Sequence, residues 1–413
     1  MARIVFAAWG TRGDAQASLI LASAMRRRGH DVELAAPGFL AAEAARLEVP
    51  FTCLGDDPLT WFGERSWRRR ADPRAVMPAL LRLFAAQVAP QFGTLVERVE
   101  RADLVVGQGL AYAAPSVAEA VRVPYRYLSP NVFLLASAHH PALSPALQRL
   151  PRWANRLAWR QNSVIHDVVF RRRINLHRDR LGLAPIRAVH PHVFDTSRTI
   201  AVFDPELYPP PADVELLSPP VGSIAPTDTD GGVDTETEAF LAGVGPVIAV
   251  DFGSMPDRAP EATTRVLVGA ARDVGARLLL SRGWAGLGVG AWGSDVHVVS
   301  SPAHAVVFPR VDVVVHHGGV GTSATAARAG VAQLVVPHAY DQHASAKQLQ
   351  SAGVAPAPIA RRRLTRDTLA GRLGAVLGND SMRHRAVRIG RQITARDAVG
   401  AAVRRLEEAL AGG

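Results

Sequence analysis

Residues Val311–Ser323 read Val-Asp-Val-Val-Val-His-His-Gly-Gly-Val-Gly-Thr-Ser, and they leave the surrounding chain little choice of fold. Four valines in five residues favour a strand buried on both faces, the kind found in parallel sheets. Two histidines close the strand, three glycines within four residues turn it, and Thr322 opens an alanine-rich helix. Glycine lets backbone approach a ligand closely, and the first N–H groups of a helix lack intrahelical partners, so this turn suits a phosphate. His317 and Thr322 each add a side-chain donor. An ordinary strand-to-helix turn with two buried histidines would use the same residues. His-His-Gly-Gly-Val-Gly-Thr is nevertheless far more specific than a single glycine-rich turn.

A buried strand needs parallel neighbours, and the chain supplies them in two series. Arg3–Ala8 reads as a strand, Ala15–Arg28 as a helix stopped by Gly29, and Asp31–Ala36 as the next strand. Strand, crossover helix and parallel strand argue for a doubly wound sheet. Further strands follow at 50–54, 104–109 and 125–129. The rhythm is lost over 56–100, where Trp61, Trp67, Arg68–Arg70 and Pro73 suggest loops and helices outside the sheet. It is lost again between Asn131 and Pro191, a helical stretch rich in Trp, Arg and His. Pro209–Pro211, Pro219-Pro220 and Thr227–Gly232 mix stiff and flexible segments and read as a linker. A second series then places strands at 247–252, 276–280, 296–299, 311–315 and 333–336. The fold class is therefore α/β, with two Rossmann-like halves facing across a cleft. The first half is 1–218, the linker 219–232 and the second half 233–413, its last helix free to pack back on the first.

Composition narrows the function. With 413 residues and 48% hydrophobic content the chain can bury two ordinary cores. Its net charge is +10 and its pI near 10.8, and Lys347 is the only lysine. Such charge would suit a nucleic-acid binder, but the arginine runs at 68–70, 171–173 and 361–363 are scattered and lack interleaved aromatics. They read as solvated faces, useful near an anionic ligand. Cys53 stands alone, which excludes an intrachain disulfide or a cysteine metal cluster. The first residues enter a strand at once, and no apolar run approaches membrane-spanning length. A soluble, cytoplasmic enzyme without an integral membrane segment or a nucleic-acid partner is expected.

Ligands of open α/β sheets bind beyond the carboxyl ends of the strands. Gly10–Asp14 from the first half falls at such an end. From the second half come Gly253-Ser254, Arg282–Trp284, His316–Thr322 and His338–Gln342. On these residues the chain resembles a GT-B fold nucleotide-sugar glycosyltransferase, of the family 1 group that holds bacterial natural-product (glycopeptide-type) and sterol enzymes. The likeness is carried by Gly10–Asp14, Phe252–Pro256, Ser281–Leu287, Phe308–Arg310 and His316–Thr322. It runs on through Arg328–Val331, Gln333, Val336-Pro337 and Asp341-Gln342. Both halves match in the right order. The match is poor over 56–100 and 131–200, where such enzymes recognise differing acceptors.

The resemblance implies an inverting direct displacement. Asp14 matches the general base that takes the acceptor hydroxyl proton, although an aspartate just before a helix is also a natural N-cap. His317, Gly319, Gly321 and Thr322 match the diphosphate contacts. Ser254 would be a further phosphate-side donor, or simply a turn serine. Asp341 and Gln342 match the pair that holds sugar hydroxyls, and could otherwise cap the following helix. No metal and no cofactor are implied beyond a UDP- or dTDP-linked sugar as co-substrate. The acceptor would be a small lipophilic aglycone of secondary metabolism, polyketide or peptide, and the enzyme a monomer or homodimer. Asp228-Thr229-Asp230 has the Asp-x-Asp form of metal-dependent GT-A transferases but sits in the linker, and His139-His140 and His190–His192 lack companion ligands.

Three departures from the family pattern stand out. Ala17 replaces a common proline, Gln108 lies near the place of a plant aspartate, and Ser300–Pro302 lies where plant members stack a tryptophan on the nucleotide base. The base, uracil or thymine, is therefore open. A same-fold sugar-nucleotide epimerase is one alternative, and a non-catalytic nucleotide-sugar-binding partner of another transferase is a second. The first would need more acid/base residues in the cleft, and the intact Asp14 argues against the second.

Overall fold

The computed structural model describes residues 1–58, 73–140, 142, 150–225, 232–253, 255–300, 303–339 and 341–412, with backbone only at 73–77. Trp61, Trp67, Arg68–Arg70, Asp228–Asp230, Ser254 and Ser301-Pro302 lie outside the described residues. Two wholly parallel sheets carry the fold. The first contains β1 (Arg3–Trp9), β2 (Asp31–Ala36), β3 (Phe51–Cys53), β4 (Leu104–Gly109), β5 (Tyr125–Ser129) and β6 (Thr199–Ala201), in the order β3-β2-β1-β4-β5-β6. The second contains β7 (Val247–Asp251), β8 (Arg277–Ser281), β9 (Val296–Val299), β10 (Val313–His316) and β11 (Ala332–Val335), in the order β11-β10-β7-β8-β9. Each sheet winds outward from its first strand. The winding direction reverses between β1 and β4 and between β7 and β10, and crevices for ligands open at such reversals.

The valine run explains why β10 is central. Val313 and Val315 pack with Ile248, Val250 and Leu334 on one face, while Val314 packs with Val247, Ala249 and Phe308 on the other. Alternate side chains point to opposite faces, so a strand buried on both must be apolar throughout. The strand extends to His316, one residue beyond the expected end. β6 was not anticipated; it is three residues long at a sheet edge, directly after the helical lobe, too short for its alternation to register.

Five helices matter for the site. They are α1 (Arg12–Arg27), α2 (Arg152–His166), α3 (Val320–Arg328), α4 (Gln342–Ser351) and α5 (Ala398–Ala411). α5 crosses back to the first sheet, where Ala398, Ala402, Val403 and Leu406 share one core with Ile4, Phe6 and Leu19. A further apolar cluster joins the halves, packing Phe133, Phe203 and Tyr208 against Ala346, Leu349 and Ile389. Polar ties cross the same seam. The Tyr208 hydroxyl and Ser345 Oγ are 2.8 Å apart, and Arg396 pairs with Glu206 and with Asp204. By length and mean hydropathy alone Pro78–Val99 would reach across a membrane. Val88, Phe92, Leu95 and Val99 on that stretch are instead buried against the first sheet, which makes it a core element.

Candidate active site

Asp14 sits in the first turn of α1, directly after β1. Its Oδ2 accepts hydrogen bonds from the Thr11 N–H at 2.8 Å and the Thr11 hydroxyl at 3.0 Å, closing a capping box. The helix therefore starts at Arg12, three residues earlier than the apolar pattern suggests. The capping duty uses one carboxylate oxygen only; Oδ1 has no protein partner among the described residues. Two glycines make room for the group. A Cβ on Gly10, at φ +143°, would lie 2.6 Å from Oδ2, and one on Gly109 would lie 3.0 Å from the Asp14 Cβ. Burial raises the Asp14 carboxyl above the usual range, and the two Thr11 hydrogen bonds offset part of that rise.

Asp341 comes from the other half of the chain and faces the same cleft. It stands at the start of α4 but its side chain does not cap the helix; among the described residues the carboxylate's only hydrogen bond is a weak one from Asn131 Nδ2 at 3.4 Å. Burial pushes its carboxyl up to about 7, and the like charge of Asp14 pushes in the same direction. The charge of Asp14 is thus felt at Asp341 although the two acids come from different halves of the chain. Gln342 is buried, and its Oε1 accepts the His338 and Ala339 N–H groups at 2.8 and 3.0 Å. Its carbonyl oxygen staples the 338–339 loop, and its amide N–H₂ donates one hydrogen bond to Met255 Sδ at 3.3 Å.

The turn between β10 and α3 is packed around His317. The imidazole is wedged between Gly253 and Gly319, where an added Cβ would lie 2.7 Å from Cε1 and 2.3 Å from Nε2 respectively. Burial lowers its basicity, partly countered by nearby Asp251, so the ring is neutral at neutral pH. Gly318, at φ +94°, turns the chain where a side chain would strike Val335 and the Gln342 carbonyl. Gly319 is the N-cap of α3, so the amides of 320–322 open onto the cleft without intrahelical partners. Thr322 is half-buried and its hydroxyl has no protein partner among the described residues. Around Gly321 an added Cβ would meet nothing within 4 Å.

His316, the other histidine, has a structural task. Its Nδ1 accepts the Gly318 N–H at 3.1 Å and its Nε2 faces Gln333 Oε1 at 2.9 Å, which sets the tautomer with the proton on Nε2. Burial drops its pKa to about 3, so it stays neutral and shapes the turn. The structure thus brings Asp14, His317, Gly319, Gly321, Thr322, Asp341 and Gln342 to the cleft.

The amino-acid sequence of the vancomycin aglycone glucosyltransferase of Amycolatopsis orientalis is 32% identical to this chain, covering 85% of it and 84% of the relative. The chain belongs to the family 1 natural-product glycosyltransferases. Residues 265–409 of the glycosyltransferase match the family described as erythromycin biosynthesis protein CIII-like, C-terminal domain. A sterol 3-beta-glucosyltransferase of Arabidopsis thaliana is 28% identical over 95% of the chain and 66% of its own length. In fold, the crystal structure of the glycotransferase of kitacinnamycin superposes with a TM-score of 0.79 at 20% identity, covering 99% of both chains. That likeness bears out the GT-B architecture of two parallel-sheet domains.

Three parts of the glycosyltransferase's cleft lie outside the motifs. Asp251, at the end of β7, is buried beside His304, with Oδ2 to Nε2 at 2.7 Å, while its Oδ1 accepts the Gly253 N–H at 2.9 Å. Burial alone would raise this carboxyl, but His304 and the Gly253 amide hold it well below the usual range. The one signal for it was an acid ending an otherwise apolar strand, Val247–Asp251. Asn131, the first-domain partner of Asp341, and Gly109, which shelters Asp14, left no signal that a single sequence carries. Gln108 does not touch Asp14; its Oε1 accepts the Ser18 N–H and hydroxyl at 2.8 and 2.6 Å and braces α1.

Proposed function

We propose that this glycosyltransferase moves a hexose or deoxyhexose from a UDP- or dTDP-sugar to a hydroxyl of a small lipophilic acceptor, with inversion at the anomeric carbon. A secondary-metabolite aglycone, polyketide or peptide, is the acceptor class that its relatives favour. The observation that carries the reading is that Thr11 occupies only Oδ2 of Asp14, leaving Oδ1 without a protein partner among the described residues, on an acid whose charge reaches Asp341 of the other half. The acceptor oxygen attacks the anomeric carbon as its proton passes to Oδ1, and the bond from that carbon to the phosphate oxygen breaks. Negative charge then grows on the departing diphosphate. The amides of 320–322, the Thr322 hydroxyl and the neutral His317 ring are set where they can donate to it without rearrangement. Asp341 accepts sugar hydroxyls and the Gln342 amide donates to one. Ser254 is placed by motif alone on the phosphate side.

The test is Asp14→Asn, which keeps the Thr11 hydrogen bonds but removes the proton acceptor. The variant should bind the nucleoside diphosphate as the parent does, and transfer should fall by about 10²–10⁴-fold, the usual contribution of a positioned base. A variant that transfers sugar at the parent rate would refute the assignment of Asp14. A parent that only interconverts nucleotide-sugars, with no transfer to any acceptor, would point to the epimerase.

A further inference from the structure

Six of the eleven strongly exposed large apolar side chains among the described residues lie on one stretch of chain, α2 and its continuation to residue 176. Trp153 is 68% exposed, Leu157 57%, Val164 59% and Val168 76%, with Ile165 and Leu176 beside them. At 3.6 residues per turn Trp153, Leu157 and Val164 fall within about 40° of each other, a single stripe along α2, and Val168 follows four residues on in the π-helical turn Asp167–Arg171. The opposite side of α2 is the one that packs: Trp159 is buried and donates its Nε1–H to the His140 carbonyl at 3.0 Å. The stripe is therefore not core turned outward by a wrong register. It is a second apolar face.

Its border is cationic. Arg152, Arg156 and Arg160 run along one edge at four-residue spacing, all exposed, and none has an ion-pair partner among the described residues. Like charges at that spacing oppose helix formation, so the row makes sense beside an anionic surface. Residues 152–180 hold eight arginines and two aspartates. Only Arg178 of the eight is buried, and it pairs with Glu119. Asp167 is occupied by the Val189 N–H. A second copy of the chain meeting this face about a two-fold axis would set arginine row against arginine row, which disfavours self-association. A helix that joins an apolar stripe with an arginine edge and a tryptophan near its start has the make-up of one that lies in a membrane interface.

We infer that α2 docks the enzyme on an anionic lipid surface, with Trp153, Leu157, Val164 and Val168 entering the headgroup region and Arg152, Arg156 and Arg160 meeting lipid phosphates. The inference rests on the reading of a lipophilic acceptor given above. A cavity of about 360 Å³ lies against the same helix, walled by Arg156, Trp159, Arg160 and Ser163 and faced by Asp213. An acceptor dissolved in the bilayer would thus meet the protein on the side that rests on the membrane.

Vesicle sedimentation tests this without any turnover. The full chain should sediment with vesicles of phosphatidylglycerol and phosphatidylcholine but not with phosphatidylcholine alone, and high salt should release it. Each arginine near an anionic bilayer contributes roughly fivefold to partition, so the triple variant Arg152→Gln/Arg156→Gln/Arg160→Gln should partition on the order of 100-fold less. Trp153→Ser/Leu157→Ser/Val168→Ser should lose at least about tenfold. All six positions are exposed, so thermal melting of both variants should stay within a few degrees of the parent. Failure to bind either vesicle, or equal binding by parent and variants, overturns the inference. Failure accompanied by concentration-dependent dimerisation that the serine variant abolishes assigns the face to a second copy, and failure without it to an acidic protein. A chain that sediments as expected yet transfers no sugar keeps this surface and loses the function proposed above.

Discussion

Gly321→Ala separates what the fold requires from what a ligand requires. The position lies in the first turn of α3, and a methyl built there meets nothing within 4 Å. Its φ is not in the left-handed region, so alanine adopts the backbone without strain. By helix propensity the substitution should stabilise the second domain, by up to about 1 kcal/mol and less in a first turn. In a domain of this size that raises the melting temperature by about 1–4 °C. The donor gives the opposite expectation. If a diphosphate oxygen approaches the amides of 320–322, the new methyl occupies its place, and lost contacts with overpacking amount to about 1–3 kcal/mol. Affinity for UDP or dTDP should therefore fall by about 5–150-fold, measured by titration calorimetry on the same preparation used for melting. A variant that is as stable as the parent and binds the nucleotide equally well would show that the empty space above Gly321 is not the donor's, and the diphosphate site would have to move.

Four other outcomes follow from the geometry. Gly319→Ala, whose Cβ would press on His317 Nε2 at 2.3 Å, should lose about 1–3 kcal/mol of stability as well as donor affinity, so calorimetry and melting should fall together where Gly321→Ala splits them. Asp341 has its folded pKa raised from 3.8 to about 7, so the ligand-free fold binds its proton more tightly than the unfolded chain and gains stability as pH falls from about 7 to about 4. A rise of that size amounts to on the order of 4 kcal/mol for a sealed carboxylate and less for this partly solvated one; Asp341→Asn should flatten the dependence of melting temperature on pH across that window. Because burial also raises Asp14, the acid limb of the transfer rate should lie above the ordinary aspartate range, and a limb at pH 4 or below would contradict the base assignment. His304→Ala leaves Asp251 charged and buried without its 2.7 Å partner, and chemical denaturation should register a loss of about 3–5 kcal/mol.

How far the sequence could be read depended on whether a function used local chemistry. The valine alternation of β10 and the Gly-rich turn after it are properties of consecutive residues, and strand, turn and helix formed as their chemistry dictates. Asp14 showed two meanings in the sequence, cap and base, and the structure shows why they do not exclude each other: one carboxylate oxygen caps and the other is free. Gln342 was harder, because its carbonyl is taken up by a loop four residues away, a bond that no motif announces. Asn131 and Asp341 are 210 residues apart, and Asp251 ends β7 while His304 opens the short helix before β10. Such pairs depend on how two sheets wind and then face each other, which is written in the whole chain rather than in any window of it. The exposed stripe of α2 was hidden for a related reason. Its leucine, valines and tryptophan look like core until the buried side of the helix is known.

The return of α5 to the first domain has a consequence for how the molecule is made. Ala402, Val403 and Leu406 fill a core whose other walls, Ile4, Phe6 and Leu19, leave the ribosome almost four hundred residues earlier. Until the last helix is synthesised, the first domain keeps an open apolar flank while its partner folds beside it. The two halves are thus unequal in biogenesis: the second can complete its own sheet from contiguous chain, whereas the first must wait for α5 to emerge before its core closes.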